Sequence, residues 1–466
     1  MKTFRFLLAV TAIAAGVIAC NEDEGNDSSK TEAPVLDYLK PESGGPGDEI
    51  RIVGDHFSLK TNENTVKFGD AQATISFAYT DTLIVRVPTG AGNEVSVTVN
   101  GKAADKTLSF NYEASWVLTS LTNMSSGLME GPSTLDKATF RYPMNLCCDE
   151  AGNIYVAERC THTIKKISIE NNSVEIFAGK YIGDDEWGEK THFKDGAALE
   201  AEFNSPMDIV YAGNNTFYVA DFMNNAIRKI QNGQVSTIGK QRLNDNDWEN
   251  VQMYENTDFK MSLDDFKFTR PEGLLYDKEN NDLYVASQSH YIVRVDFDAN
   301  EVELYAGKPF AAGNTAGARQ EGQMNAPRGM AFDKDGNLYV ANEYGYCISK
   351  VDKDHNLTVF AGIPGSAGAK DGSATEAQFN EPNYMVLFEN TLLVTDFRNH
   401  VIRQVSLEDG SVSTWAGFLE YNDVQDGGLA ECRLSWPIGL NYSYDGKQIY
   451  MTQGETYEGL RVFKFE

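Results

Sequence analysis

The most informative stretch of this chain is Leu392-Leu393-Val394-Thr395-Asp396-Phe397-Arg398-Asn399-His400-Val401-Ile402-Arg403, an apolar strand followed by a polar turn and a second apolar run. Short apolar cores of the same kind recur at 154–157, 217–220, 283–286, 338–341 and 449–452. A proline precedes each of the six cores, at Pro143, Pro206, Pro271, Pro327, Pro382 and Pro437, with spacings of 63, 65, 56, 55 and 55 residues. Because self-similarity at a regular period is the signature of a repeat protein, we predict six copies of one structural unit.

Each unit carries the pattern of four short strands joined by tight turns such as 335–337. This pattern predicts an antiparallel four-stranded sheet per unit, and six such sheets close into an all-β propeller. The sixth unit ends at Glu466, after its third strand. The segment 116–121, which precedes the first unit, has the pattern of a fourth strand. We therefore predict that it completes the last sheet and removes two exposed sheet edges.

The turn Asp396-Phe397-Arg398-Asn399-His400-Val401-Ile402 resembles the Asp-x-x-Asn-His-x-Ile pattern of NHL repeats. The second unit has Asn225 at the histidine position and the fourth has Tyr346. The resemblance implies an NHL-type propeller over residues 113–466. The departures weaken the case for a shared active site and leave the fold prediction intact.

Residues 34–112 alternate apolar and polar side chains in short runs, which predicts a small antiparallel β-sandwich. Gly47, Gly54, Phe57, the 66–69 run and the 85–88 run resemble an IPT/TIG immunoglobulin-like domain. Such domains are mostly spacers or interaction modules, and the resemblance implies that role here.

The N-terminus has the order of a targeting segment, with Lys2 and Arg5 before an apolar run. The sequence 17–20 resembles a bacterial lipobox, so Cys20 is predicted to be lipidated, with an ordinary secretory signal as the alternative. The acidic run 21–27 resembles the export signal of Bacteroidota surface lipoproteins. We expect a signal peptide at 1–20, a flexible tether at 21–33 and a lipid anchor in the outer membrane that leaves the protein on the cell surface.

The composition excludes some partners. Forty Lys and Arg stand against 68 Asp and Glu, a formal net charge of −28, which argues against nucleic acid as a partner because phosphate binding needs clustered cations. The same deficit argues against strongly anionic polysaccharides unless a local basic patch overrides the average. Beyond Cys20, the cysteines show no CxxC pair, so we expect buried free thiols, with a bridge from Cys160 to Cys147 or Cys148 as the alternative.

Three histidines, His162, His290 and His400, occupy one repeat position in different units. A metal site shared between blades is one interpretation, but equivalent positions in a ring lie far apart unless they are close to its axis. We therefore predict structural histidines that hydrogen-bond the turn after the second strand. Glu158, Asp221, Asn342 and Asp396, which end the second strands, receive the same interpretation.

Six-bladed lactonases hold calcium in the channel and NHL-like lyases hold zinc, so the resemblance raises the question of a metal. The nearest channel candidates are Asn145, Asp208 and Glu272, whose oxygen ligands suit Ca²⁺. No HExxH or Ser/His/Asp arrangement occurs in the sequence, and we assign no catalytic residue. We expect no cofactor, with Ca²⁺ in the channel as the alternative.

Two connections between units, 180–203 and 240–268, are long and aromatic, and loops on a rigid scaffold are where binding residues collect. They contain Tyr181, Trp187, Trp248 and Tyr254, with Asp185 and Asp247 beside the two tryptophans. Aromatic rings stack on sugars and carboxylates accept hydroxyl hydrogens, so these six residues are the predicted ligand-binding set. The alternative is that the indoles only anchor their loops.

The order of these parts is similar to that of surface lipoproteins that accompany glycan importers in Bacteroidota. The leading hypothesis is non-catalytic recognition of a glycan, within an outer-membrane importer complex. Two alternatives remain, an accessory that binds a partner protein and a metal-dependent lyase or lactonase that acts in the propeller channel.

Overall fold

The computed structural model describes residues 32–88, 90–129, 131–181, 192–240, 259–319, 321–419 and 421–465. Within these ranges the regular elements are β-strands and short 3₁₀ turns. The 3₁₀ turns are Thr61–Glu63, Ala198–Glu200, Leu263–Asp265 and Phe397–Asn399. No helix in the described ranges has the length and apolar character needed to cross a membrane.

The first unit is a sandwich of two antiparallel sheets. Its strands are β1 (Val35–Lys40), β2 (Ser43–Gly44), β3 (Glu49–Asp55), β4 (Asn64–Phe68), β5 (Ala71–Gln72), β6 (Thr74–Ala78), β7 (Thr82–Arg86), β8 (Glu94–Val99), β9 (Lys102–Ala103), β10 (Leu108–Ser109) and β11 (Asn111–Tyr112). The sheet β1-β3-β7-β6 faces the sheet β10-β8-β4-β5, and β2 pairs with β11. Period-two alternation explains the packing: Ile50 and Ile52 are fully buried, while Glu49 and Arg51 face outward.

Six sheets follow, which we number as blades 1 to 6 from β13. Blades 1 to 3 contain β13 (Pro143–Cys148), β14 (Ile154–Glu158), β15 (Thr163–Ser168), β16 (Ser173–Ala178), β17 (Gly196–Ala197), β18 (Pro206–Gly213), β19 (Thr216–Asp221), β20 (Ala226–Gln231), β21 (Gln234–Ile238), β22 (Lys260–Ser262), β23 (Pro271–Asp277), β24 (Asp282–Ser287), β25 (Tyr291–Asp296) and β26 (Glu301–Gly307). Blades 4 to 6 contain β27 (Pro327–Phe332), β28 (Leu338–Asn342), β29 (Cys347–Val351), β30 (Leu357–Ala361), β31 (Pro382–Phe388), β32 (Thr391–Asp396), β33 (Val401–Ser406), β34 (Val412–Gly417), β35 (Gly427–Gly428), β36 (Pro437–Tyr442), β37 (Gln448–Gln453) and β38 (Gly459–Phe465).

The innermost strands of the six blades form a closed ring. Strands β13, β18, β23, β27, β31 and β36 each contact the next, and β36 contacts β13. Each begins with its proline, the first strand position, where a missing N–H is tolerated. The residue before each proline has a left-handed backbone with φ between 38° and 60°: Tyr142, Ser205, Arg270, Ala326, Glu381 and Trp436. The prediction of an all-β fold with a sandwich before a propeller is confirmed.

The ring is sealed by a strand from before the first unit. Strand β12 (Trp116–Ser120) pairs antiparallel with β38, from Trp116 opposite Phe465 to Ser120 opposite Arg461. Leu118 is fully buried in the core of blade 6. The predicted completion of the last sheet is therefore confirmed, and the N-terminal and C-terminal strands of the propeller lie side by side.

A buried ion pair crosses the second and third strands of several blades. In blade 5 Asp396 contacts Arg403 at 2.9 Å, with both side chains fully buried, and Arg403 also contacts Asp371 at 2.6 Å. The equivalent residues of blade 2 are Asp221, Arg228 and Asp195. Each outer aspartate belongs to an Asp-Gly pair eleven residues before the proline of its blade. The arginine of each ion pair therefore joins its blade to the connection that leads into that blade.

Blades 3 and 4 lack this ion pair as a whole. Asn342 donates to the Ser349 hydroxyl at 2.8 Å in blade 4, and Ser287 and Val293 hold the two positions in blade 3. Lys260 and Ala316 stand eleven residues before the prolines of these blades, where blades 2 and 5 have aspartate. Blades 3 and 4 have therefore lost the arginine and both aspartates together. This is expected because keeping only one of them would leave a buried charge without a partner.

An ion pair joins the two units of the chain. Arg86 of β7 contacts Glu431 of the connection between blades 5 and 6 at 2.5 Å. The cysteines Cys147, Cys148, Cys160, Cys347 and Cys432 are buried free thiols, so the predicted alternative of a bridge to Cys160 is not seen.

Candidate functional site

The residues that flank the innermost prolines converge at one end of the ring axis. Because the strands of a blade alternate in direction, the first strand begins and the second strand ends at the same face, which we call the loop face. A cavity of about 370 Å³ opens there, and we call it the loop-face cup. All six blades line it with residues that follow their second strands: Arg159, Phe222, Met223, Gln288, Glu343, Tyr344, Phe397, Arg398 and Glu455.

The cup is closed below by Tyr384. This residue of β31 is fully buried, and its hydroxyl lies 3.0 Å from the carbonyl oxygen of Met207 and 3.1 Å from that of Glu272. A side chain of blade 5 thus reaches blades 2 and 3 across the axis. On the opposite side of Tyr384, a larger hollow of about 1070 Å³ opens at the face that carries the first hairpins. The cup is therefore blind.

A buried guanidinium lies beside this floor. Arg328, at the start of β27, contacts Glu272 at 2.5 Å and Glu343 at 2.8 Å, and it also hydrogen-bonds Asn383. Burial raises the pKa of Glu343; Arg328 opposes this shift and Glu272 adds to it.

At the rim of the cup, two arginine side chains lie over aromatic rings. Arg398 contacts Glu381 at 2.5 Å and lies 5.7 Å from the centre of the Trp436 ring. Arg159 lies over the ring of Tyr142 at 5.3 Å. Cation–π contacts of this kind hold long side chains in place at an otherwise exposed rim.

The repeat histidines link one blade to the next. The Nδ1 atoms of His162, His290 and His400 accept the backbone N–H of the residue before the next proline at 3.0, 3.1 and 3.2 Å. In blade 2, Asn225 Oδ1 accepts the Arg270 N–H in the same way at 2.9 Å. The structural role predicted for the histidines is confirmed. The predicted partner was wrong: the histidine bonds the next blade because the left-handed residue there turns its N–H toward it.

Comparison with known proteins agrees with this architecture. Residues 188–406 match the teneurin NHL domain and residues 34–113 match the IPT/TIG domain. The chain carries an IPT/TIG domain followed by an NHL-type propeller. Human NHL repeat-containing protein 2 is 30% identical over 298 residues, which cover 59% of this chain and 40% of that protein. The chloroplastic Protein SUPPRESSOR OF QUENCHING 1 of Arabidopsis thaliana is 26% identical over 281 residues, which cover 47% and 27%. The chain thus spans less than half the length of either curated relative.

Solved structures resemble nearly the whole chain in fold. An auxiliary nutrient binding protein from Bacteroides thetaiotaomicron has a TM-score of 0.66 and 15% identity, over 93% of this chain and 98% of that chain. Another auxiliary nutrient binding protein, from Bacteroides ovatus, has a TM-score of 0.57 and 17% identity over the same shares. At these identities the comparison shows the fold.

The channel candidates for calcium meet hydrogen-bond donors instead. Asn145 Nδ2 donates to Asp208 at 2.9 Å, and Asp208 also accepts the N–H groups of Ile209 and Leu274, each at 2.7 Å. Burial raises the pKa of Asp208 to about 7, which these donors oppose. Glu272 lies against the Arg328 guanidinium. Among the described residues, Asn145 Oδ1 and Glu272 Oε2 have no hydrogen-bond partner. The described residues contain no group of three His, Cys, Asp or Glu side chains that could hold a metal ion.

Most of the predicted ligand-binding set lies outside the described residues. Trp187 and Asp185 fall within 182–191, Trp248, Asp247 and Tyr254 fall within 241–258, and the lipidation candidate Cys20 falls within 1–31.

Tyr181 is described, and it lies in a narrow crevice beside blade 1 with Met129 and Ile176, away from the cup. The end of the first long loop is anchored at the loop face, because Asn224 donates to the His192 carbonyl oxygen at 2.6 Å.

Sequence reasoning missed Arg328, Glu343, Tyr384 and Arg270. A signal for them exists when the units of the NHL-type propeller are aligned by their prolines. Arg328 directly follows its proline, where the other units have Met144, Met207, Glu272, Asn383 and Ile438. A charge at a position that is elsewhere mostly apolar or amide marks a residue that serves something other than the repeat.

Proposed function

We propose that the protein is a non-catalytic, surface-exposed accessory protein that binds a glycan at the loop-face cup of its propeller. The observation that carries the proposal is the cup itself. It lies on the axis, is closed below by Tyr384, and is lined by residues of every blade, among them the rings of Tyr142, Phe222, Tyr344 and Phe397. Concave sites that combine apolar rings with oriented polar groups are typical of small-ligand binding.

The chemistry of the lining suits a sugar. Tyr344, Phe222 and Phe397 offer rings for the apolar faces of pyranoses, and Glu381 and Gln288 offer acceptors for hydroxyl hydrogens. Glu272 and Glu381 are held by guanidinium groups, which fixes them as binding groups with set orientations. Two solved structures that resemble nearly the whole chain in fold are auxiliary nutrient binding proteins, which supports an uptake role. The proposal also includes lipidation at Cys20, attachment to the outer membrane and association with a glycan importer.

The test compares two exposed tyrosines at opposite ends of the propeller. Tyr344 lies at the cup and is 43% exposed, while Tyr444 lies on the opposite face and is 49% exposed. A glycan array, followed by affinity electrophoresis on each retained glycan, is run with the full mature chain, Tyr344→Ala and Tyr444→Ala. We expect about a tenfold weaker retention for Tyr344→Ala, the loss of roughly 1.4 kcal/mol of stacking, and no change for Tyr444→Ala.

The same assay tests the loop residues, whose roles stay predictions. Trp187→Ala and Trp248→Ala should each weaken retention if the long loops extend the cup, and Asp185→Asn, Asp247→Asn and Tyr254→Phe follow in the same series. Equal retention for both tyrosine variants, or an array with no retained glycan, would reject the cup as a glycan site.

A second candidate function rests on the IPT/TIG domain. The outer face of the sheet β1-β3-β7-β6 exposes Tyr38 at 51% and Phe77 at 57% of their surface. Exposed apolar groups on one face favour contact with a protein partner. We propose that this face binds the importer. Tyr38→Ser with Phe77→Ser should then abolish co-purification with the importer while glycan retention stays unchanged.

A further inference from the structure

Arginine is concentrated in the loop-face cup. Arg159, Arg270, Arg328 and Arg398 come from blades 1, 3, 4 and 5, and all four line a cavity of about 370 Å³. The chain as a whole has a formal net charge of −28, which by itself argues against an anionic ligand. Four glutamates line the same cavity, so its formal charges balance, in contrast to the acidic average of the chain. A planar guanidinium matches a carboxylate with two parallel hydrogen bonds.

Arg270 is the arginine that is most available to a ligand. Arg328 and Arg398 are engaged in ion pairs with glutamates of the cup. In the part of the chain that the structure describes, the Arg270 side chain makes one hydrogen bond, to Gln288 at 3.3 Å. A neutral amide at this distance leaves most of the donors of the guanidinium for a ligand.

The backbone of Arg270 is fixed although its side chain is exposed. Its N–H is held by Asn225 Oδ1 at 2.9 Å, its φ is 38°, and Pro271 follows it as the first residue of β23. A pinned backbone reduces the entropy lost when the guanidinium closes on a ligand. Arg270 thus occupies a prepared position at the mouth of the cup.

Four glutamates, Glu272, Glu343, Glu381 and Glu455, also line the cup. Glu272 and Glu343 contact Arg328, and Glu381 contacts Arg398, so these three carboxylates are turned toward arginines other than Arg270. The rim ring of Tyr344 lies beside Glu343 and supplies an apolar face. The floor formed by Tyr384 makes the cup blind, so a chain that enters must present its end.

We propose that the loop-face cup recognises a terminal sugar residue that carries a carboxylate, and that Arg270 binds this carboxylate. This inference rests on the proposed glycan-binding function and adds the class of ligand. The sequence average argues against anionic polysaccharides. The cup departs from that average because arginines and glutamates balance there, and among the described residues the Arg270 side chain hydrogen-bonds a neutral amide.

The experiment uses trigalacturonate and the neutral trimer obtained by reduction of its carboxyl groups. Isothermal titration compares the full mature chain with Arg270→Gln and with Arg51→Gln. Arg51 is an exposed arginine of β3 in the IPT/TIG domain, so it controls for the loss of one positive charge. We expect trigalacturonate to bind about tenfold or more weakly to Arg270→Gln and unchanged to Arg51→Gln, because a hydrogen-bonded charge pair is lost. Binding should also weaken as salt rises.

The outcomes separate the two proposals. Equal affinity for both trimers, or unchanged trigalacturonate binding by Arg270→Gln, overturns the carboxylate inference and leaves glycan binding in place. No binding of either trimer also overturns this inference; an array on which other, neutral glycans are retained through Tyr344 would then preserve the proposed function. Loss of trigalacturonate binding in both arginine variants indicates a general charge effect and overturns the assignment to Arg270.

Discussion

Two sets of buried charges lie near the loop face, and they differ in how often they occur. The ion pair of Asp396 with Arg403 recurs in blade 2 as Asp221 with Arg228, at equivalent positions and nearly equal distances. The cluster of Arg328 with Glu272 and Glu343 occurs once and draws its members from blades 3 and 4. Both clusters are hydrogen-bonded and almost fully buried.

The difference teaches how to separate structure from function in a repeat protein. A charged group that recurs at one position of several blades has a structural role in each blade, such as attachment to the incoming connection. A charged group that occurs once, on the axis, has a role specific to the axial site. Recurrent charges should therefore govern stability, and single charges of the cup should govern binding.

The largest effect is expected for Arg403→Met. Its removal leaves Asp396 buried without a cation, which costs about 3–5 kcal/mol of unfolding free energy. Burial already raises the pKa of Asp396 to about 6, against the pull of Arg403. A carboxyl group with a raised folded-state pKa gains stability as pH falls, so the loss should be smaller at pH 5 than at pH 8. Urea unfolding followed by circular dichroism measures the unfolding free energy at both pH values. A loss of less than about 1 kcal/mol at pH 8 would contradict the structural role of Arg403.

The comparison is sharpened by copying blade 4 into blade 5. The double variant Asp396→Asn with Arg403→Ser recreates the pair of Asn342 with Ser349, which is joined at 2.8 Å. Because both charges leave together, we expect the loss to shrink to about 1–2 kcal/mol. A double variant as unstable as Arg403→Met would show that the network acts through Asp371 and the connection rather than through charge pairing.

A smaller and pH-dependent effect is expected for His400→Asn. Burial lowers the pKa of His400 below its ordinary value of 6.5, and its Nδ1 must stay unprotonated to accept the Trp436 N–H. The stability it contributes is present above pH 6.5 and is lost as pH falls. Asparagine does the same task in blade 2, so His400→Asn should equal the parent at pH 7.5 within about 1 kcal/mol and gain on it at pH 5.

His400→Ala is the matched control for that measurement. It removes the acceptor and should cost about 1 kcal/mol at pH 7.5. A His400→Asn chain that follows the parent through the whole pH range would show that this histidine is not the acid-sensitive link.

The smallest effect on stability is expected for Arg270→Gln. Among the described residues its exposed guanidinium makes one long hydrogen bond, so the unfolding free energy should change by less than about 0.5 kcal/mol. Thermal unfolding of the variant checks this. A larger loss of unfolding free energy would show that Arg270 has a structural role, and it would contradict the distinction between recurrent and single charges.

Features that depend on periodicity could be read from the sequence. The prolines, the second strands and the missing fourth strand are local patterns, and Trp116 and its neighbours were placed correctly because an open sheet edge must be paired. The recurrence of His162, His290 and His400 correctly indicated a structural role. The Asp-Gly pairs also recur at a fixed distance from the prolines, and the structure shows that their aspartates bind Arg228 and Arg403.

Features that depend on convergence at the axis could not be read in this way. Tyr384 and Met207 are 177 residues apart and belong to different units, so no spacing shows that they meet. Whether a side chain crosses the channel depends on its size and on the side chains opposite it. A comparison of equivalent positions between repeats shows such a residue only as a difference from the other units. The hydrogen-bond donors around Asp208 could not be read from the sequence for the same reason, since they come from blades 1 to 3.

The closing strand determines how the propeller carries mechanical load. A pull on the N-terminal end of the chain passes through the IPT/TIG domain and enters the propeller at β12, whose hydrogen bonds to β38 resist it. The contact of Arg86 with Glu431 shares that tension at the same side of the ring. The arginines of the cup belong to blades 1, 3, 4 and 5, away from the strands that such a pull loads first.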